Sequence, residues 1–83
     1  MKPVTLFYQP RCPFCKKALG YLEELQRQEP YSRIEIRMID ELAEPEVADY
    51  YVPTFYVGDK KVHEGGIMPD EVEAVLRMAL DER

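Results

Sequence analysis

The chain changes its hydrophobic period within a few residues, and that change limits what it can fold into. Val4-Thr5-Leu6-Phe7-Tyr8 is an apolar, β-favouring run bounded by Pro3 and Pro10, which reads as a buried strand. From residue 13 to about residue 28 the period is helical. Ala18, Leu19, Leu22 and Leu25 share one face, with Lys16, Lys17, Glu23 and Arg27 on the other. Pro13 suits a first helical turn, and Pro30 stops the helix. Arg33-Ile34-Glu35-Ile36-Arg37-Met38-Ile39 then alternates, as expected of a strand with one wetted face at a sheet edge. A strand, a helix and a second strand imply parallel pairing through a right-handed crossover.

The second half completes a small mixed sheet. Residues 41–51 have weak helical character interrupted by Pro45, which predicts a short helix with Pro45 as its first residue. Thr54-Phe55-Tyr56-Val57, Gly58-Asp59 and Lys60-Lys61-Val62-His63 form the pattern of a tight hairpin. Pro69 opens a last helix with Val72, Val75, Leu76, Ala79 and Leu80 as its apolar stripe. Asp70, Glu71 and Glu73 favour its positive N-terminal end. The order is β-α-β-(short α)-β-β-α: an α/β domain with a four-stranded mixed sheet, the first and last helices sharing one face. At 83 residues the chain is one domain, residues 1–83. No apolar run approaches the ~20 residues of a membrane span, and no basic-then-apolar leader opens the sequence. A cytoplasmic, reducing setting is therefore expected, with no membrane partner.

Charge is more informative by position than in total. Sixteen acids against eleven bases give −5, which argues against a nucleic-acid partner of the basic-patch kind. Yet residues 1–22 hold Lys2, Arg11, Lys16 and Lys17 and no acid, leaving 16 acids and 7 bases, or −9, for the rest. The concentrated positive charge surrounds the only two cysteines.

Two cysteines cannot make the multi-disulfide framework of a small secreted scaffold. Cys12-Pro13-Phe14-Cys15 sits where the first strand ends and the first helix begins. In a cytosolic chain with a β-α-β pattern, that spacing points to redox chemistry. Unpaired N–H groups and the positive dipole end at a helix start favour a thiolate, and Arg11, Lys16 and Lys17 push the same way. Cys12 is the expected nucleophile. Cys15, one turn on, is placed to attack the mixed disulfide at Cys12 and release the reduced substrate. Phe14 is expected to lie exposed over the site and shape what approaches. A zinc site needs four ligands, and Cys12, Cys15 and the lone His63, a strand-surface residue in this reading, do not supply them.

Three motifs in this order resemble the thioredoxin superfamily, and glutaredoxins and small glutaredoxin-like thioredoxins in particular. They are Cys12-Pro13-Phe14-Cys15, Val52-Pro53-Thr54 before the third strand, and Gly65-Gly66 before the last helix. The resemblance covers nearly the whole chain and implies a minimal thioredoxin-like fold. It implies a cis Val52–Pro53 bond facing the cysteines, with Pro53 shaping a substrate groove and the Val52 backbone bonding a bound peptide or glutathione. Arg11, Gly65 and Gly66 join Phe14, Val52 and Pro53 as expected substrate-binding residues. The implied activity is thiol–disulfide oxidoreduction, and the reducing compartment makes the dithiol the expected working form. Protein or small-molecule disulfides are the expected substrates, disulfide-containing proteins the expected partners, and a thioredoxin reductase or glutathione the expected electron donor. No tightly bound cofactor is expected. The competing reading is a dimeric metal or iron–sulfur carrier using the same cysteines. Departures from the glutaredoxin pattern fall on the glutathione pocket. Gln9 replaces a Lys, Tyr51 replaces a Thr, and Ile67-Met68-Pro69 follows Gly66, displacing Asp70. Departures from the thioredoxin pattern are the absence of Trp and of a buried acid in Val4–Tyr8. A thinly covered sheet face near the site is also expected, leaving Tyr50, Tyr51 and Phe14 as a docking patch.

Overall fold

A computed structural model describes residues 1–47 and 51–82. Strand β1 (Val4–Tyr8) leads into helix α1 (Pro13–Gln26), followed by a 3-10 turn (Tyr31–Arg33) and strand β2 (Ile36–Asp40). A second 3-10 turn (Pro45–Val47) precedes strands β3 (Thr54–Val57) and β4 (Lys60–Glu64) and helix α2 (Pro69–Asp81). The sheet order is β2-β1-β3-β4, with β1 and β2 parallel and the other two pairings antiparallel. This is the four-stranded mixed sheet that the periodicities predict, with β2 at an edge.

Register explains the core. Val4 pairs with Val57 and Leu6 with Phe55, so these four side chains project to one sheet face. All are buried there with Ala18 and Leu22 of α1 and Val72, Val75, Leu76 and Ala79 of α2. Both helices therefore lie on that face. Thr5 and Phe7 alternate to the other face, where the Phe7 ring meets Tyr56 edge-on with centroids 5.3 Å apart. The apolar stripe of α2 is as expected, with Leu80 at its half-buried margin.

Some elements differ from the sequence reading by more than a residue or in type. Helix α1 stops at Gln26, and the Gln28 N–H bonds Leu25 O at 3.0 Å in a tightened last turn. Strand β2 begins at Ile36 instead of Arg33, because the preceding residues form a turn anchored through Tyr31. That ring is buried, and its hydroxyl donates to Glu73 Oε2 (2.7 Å) while accepting from Arg77 Nε (3.1 Å), both on α2. The short helix expected at Pro45 is a 3-10 turn, and Tyr50 lies outside the described residues. No helix of the described residues is long and apolar enough to cross a membrane.

Candidate active site

Cys12 is the N-cap of α1, in extended conformation (φ −77°, ψ 118°), with Pro13 in the first turn. Its sulfur takes the role a Ser or Asp oxygen plays in other caps: the Cys15 backbone N–H donates to Cys12 Sγ at 3.2 Å. Pro13 has no N–H, so the local sequence directs the free donors of that turn toward the sulfur. On the other side, Cys12 Sγ lies 4.0 Å from the Val52 carbonyl oxygen. The Val52–Pro53 peptide is cis, as the resemblance implies, and Pro53 is fully buried. Gly65 joins this loop from the far side, its N–H donating to Pro53 O at 2.9 Å.

Phe14 lies beside Gly66, where an added Cβ would stand 3.5 Å from its ring. The structure thus brings Cys12, Cys15, Phe14, Val52, Pro53, Gly65 and Gly66 into one connected patch. Arg11 is exposed at its edge, and no carboxylate among the described residues pairs with it.

The two thiols sit in different surroundings. Cys12 is half-buried, whereas Cys15 is 0% exposed. Burial first pushes the Cys15 thiol up to about 12; the hydrogen bond and charge of Cys12 and the charge of Glu41 add to the rise, against a backbone hydrogen bond at Gln9. Cys15 is therefore held as a thiol.

Two further residues bear on the site. Glu41, 4% exposed, directly follows β2, and its N–H donates to Tyr8 O at 2.9 Å, so a buried carboxylate flanks the end of β1 from a neighbouring strand. Nothing in the residues around it distinguishes Glu41 from an ordinary loop acid. His63, read from sequence as a strand-surface residue remote from the cysteines, is half-buried. Its Nε2 lies 2.9 Å from Gly66 O and its Nδ1 4.0 Å from Glu71 Oε2. It braces the Gly65-Gly66 bend against α2, and its place three residues before Gly66 is the one signal that could have suggested this. Among the described residues, no group of three or more His, Cys, Asp or Glu could hold a metal ion.

Comparison with known proteins agrees with this geometry. Oxidised thioredoxin from Plasmodium falciparum superimposes with a TM-score of 0.70 at 20% identity, covering 90% of this chain and 77% of that one. Reduced desulfothioredoxin from Desulfovibrio vulgaris Hildenborough gives 0.68 at 24% identity, covering 93% and 80%. A malarial protein gives 0.71 at 16% identity, covering 93% and 94%. These likenesses establish a thioredoxin-like fold. No curated protein matches the chain in sequence. Residues 4–62, from the first strand through the cysteine pair and the cis proline into the hairpin, match the glutaredoxin family. The chain belongs to the glutaredoxin family.

Proposed function

We propose that the protein is a dithiol reductant of protein and small-molecule disulfides, with Cys12 as nucleophile and Cys15 as resolving thiol. The observation that carries this reading is the asymmetry of the pair. Cys12 is reachable and receives the Cys15 N–H, while Cys15 lies buried one turn behind it. An attacking thiolate at Cys12 displaces one substrate sulfur and forms a mixed disulfide. Cys15 then attacks Cys12 Sγ, its proton passing to the sulfur already released, and the second substrate sulfur leaves. One substrate disulfide becomes a dithiol, and two electrons leave the Cys12–Cys15 pair as it closes into a disulfide. Val52 O and the Phe14 ring flank the approach to Cys12, with Pro53, Gly65 and Gly66 shaping its floor and Arg11 its rim.

Family membership supports disulfide chemistry in a reducing, cytoplasmic setting, where the dithiol is the working form. A thioredoxin reductase or glutathione returns the electrons. Gln9, Tyr51 and the displaced Asp70 weaken the contacts glutathione would use at both of its ends, which favours the reductase.

The test is trapping. With a disulfide peptide, Cys12→Ser abolishes turnover, and Cys15→Ser accumulates a protein–peptide mixed disulfide at Cys12, read by intact mass. Turnover surviving in Cys12→Ser, or trapping at Cys15 in preference to Cys12, refutes the assignment. Rates of re-reduction of the oxidised protein by glutathione and by NADPH-driven thioredoxin reductase then identify the donor.

A further inference from the structure

The cations around Cys12 differ from most others in the molecule. Arg27, Arg33, Arg37, Arg77 and Lys61 each have a carboxylate partner close by in sequence. Arg11, Lys16 and Lys17 are all exposed, and among the described residues no carboxylate pairs with them. The first turn of α1 contains no acid to offset them. Among the described residues Lys2 and Lys60 also have no carboxylate partner, but they lie at the other end of β1, next to the Gly58 turn. Lys16 and Lys17 lie in the first turn and a half of α1, and Lys16 follows the Cys12 cap by four residues. Its N–H bonds Cys12 O at 3.1 Å. The nucleophile of a chain with net charge −5 thus sits beside an uncompensated positive arc.

The other rim of the sulfur is apolar. Phe14, Tyr51 and Met68 are 57%, 61% and 59% exposed. Tyr51 precedes Val52, whose carbonyl faces Cys12, and Met68 lies two residues beyond Gly66, where an added Cβ would stand 3.5 Å from the Phe14 ring. Beyond Met68 the chain turns acidic at Asp70 and Glu71, and Glu71 bonds the Met68 N–H at 2.9 Å. The surface is therefore polarised across Cys12, positive on the α1 side and apolar then acidic on the α2 side.

Resting on the oxidoreductase reading above, we propose that the partner presented to Cys12 is an acidic polypeptide segment carrying the disulfide. Arg11, Lys16 and Lys17 select it by charge, and Phe14, Tyr51 and Met68 hold the apolar side chains beside its cysteine. Charge complementarity commits the site to this occupant: the rest of the protein repels an acidic partner, and the arc at α1 is where such a partner is attracted. A field of this kind acts on the encounter, where steering changes association rates by about 10- to 1,000-fold. It is screened once the Debye length falls to a few ångströms, near 1 M salt.

The experiment uses the fully reduced protein and two disulfide-cyclised peptides, identical except that one carries Asp and Glu beside its cysteines and the other Lys. Neutral bis(2-hydroxyethyl) disulfide is the third substrate. Single-turnover reduction is followed by acid quench at low and at ~1 M salt. The acidic peptide is expected to react at least about tenfold faster than the basic one at low salt, as a steered encounter would. That ratio should collapse at high salt and fall below one in the Lys16→Glu, Lys17→Glu double variant. Equal rates for the two peptides, or a ratio insensitive to salt, overturn the proposal while leaving the oxidoreductase reading intact, because the neutral disulfide is still reduced. Failure to reduce any of the three, the neutral one included, overturns the oxidoreductase reading and this proposal with it.

Discussion

Cys15 sets the most demanding test of the mechanism, because the resolving step needs a thiolate from a thiol that burial keeps protonated. With the thiol pushed up to about 12, only about one molecule in 10⁵ carries a Cys15 thiolate at pH 7. Once Cys12 is bonded to a substrate sulfur, its negative charge and its hydrogen bond to the thiol are gone, which removes two of the causes. Burial, the largest, remains. Resolution should therefore accelerate about tenfold per pH unit from pH 7 to pH 9 without levelling off. The assay is stopped-flow reaction of the reduced protein with an aromatic disulfide whose thiol absorbs on release. The first equivalent reports attack by Cys12 and the second reports resolution by Cys15. Glu41→Gln sharpens the result. The Glu41 charge raises the Cys15 value, so removing it should speed the second phase at every pH. A second phase that levels off between pH 7 and 8 refutes the claim that burial controls Cys15. A second phase slowed by Glu41→Gln means that the carboxylate takes the Cys15 proton instead of opposing its loss.

The same thiol links stability to pH. Its folded value, about 12, stands above the ordinary 9.0, so the folded state holds this proton more tightly than the unfolded chain. Stability is intact below about pH 9 and declines as pH rises from there toward 12. Urea midpoints of the reduced protein at about pH 8 and about pH 10.5 should show the decline, and Cys15→Ala should lessen it. At the Gly65-Gly66 bend the two glycines should behave differently. Gly65 has φ +88° with nothing within 4 Å of an added Cβ, so Gly65→Ala carries backbone strain alone and should destabilise by about 1–2 kcal/mol. A Cβ at Gly66 would make only ordinary contact with Phe14, so Gly66→Ala should change stability by no more than about 0.5 kcal/mol in the same denaturation series.

Where periodicity and punctuation agree, the sequence specifies the fold. Val4–Tyr8 is a strand because an apolar β-favouring run is bounded by prolines. Helix α1 starts at Pro13 because that proline, after a residue able to cap, is suited to a first turn. The hairpin follows from Gly58, whose φ of +61° suits a turn that most residues would enter with strain. Legibility fails where a distant contact outweighs a local pattern. Arg33 to Ile39 alternates throughout, yet its first residues turn, because Tyr31 is drawn into the core and tied to Glu73 and Arg77, more than forty positions away.

The candidate site divides in the same way. Cys12 is legible because its chemistry is local: a helix start, a following proline and a Cys15 N–H three residues on are all written in Cys-Pro-Phe-Cys. What distinguishes Cys15 from Cys12 is burial, built by the packing of α1 on the sheet, and to it is added the charge of Glu41, brought to the end of β1 by the parallel pairing of β2 with β1. The sequence shows no acid in β1 and leaves the site without a buried carboxylate. Topology supplies one from the turn after β2, where a glutamate in a run of loop acids looks like any other. The motif therefore names the nucleophile, and the fold determines how reluctantly its partner gives up a proton.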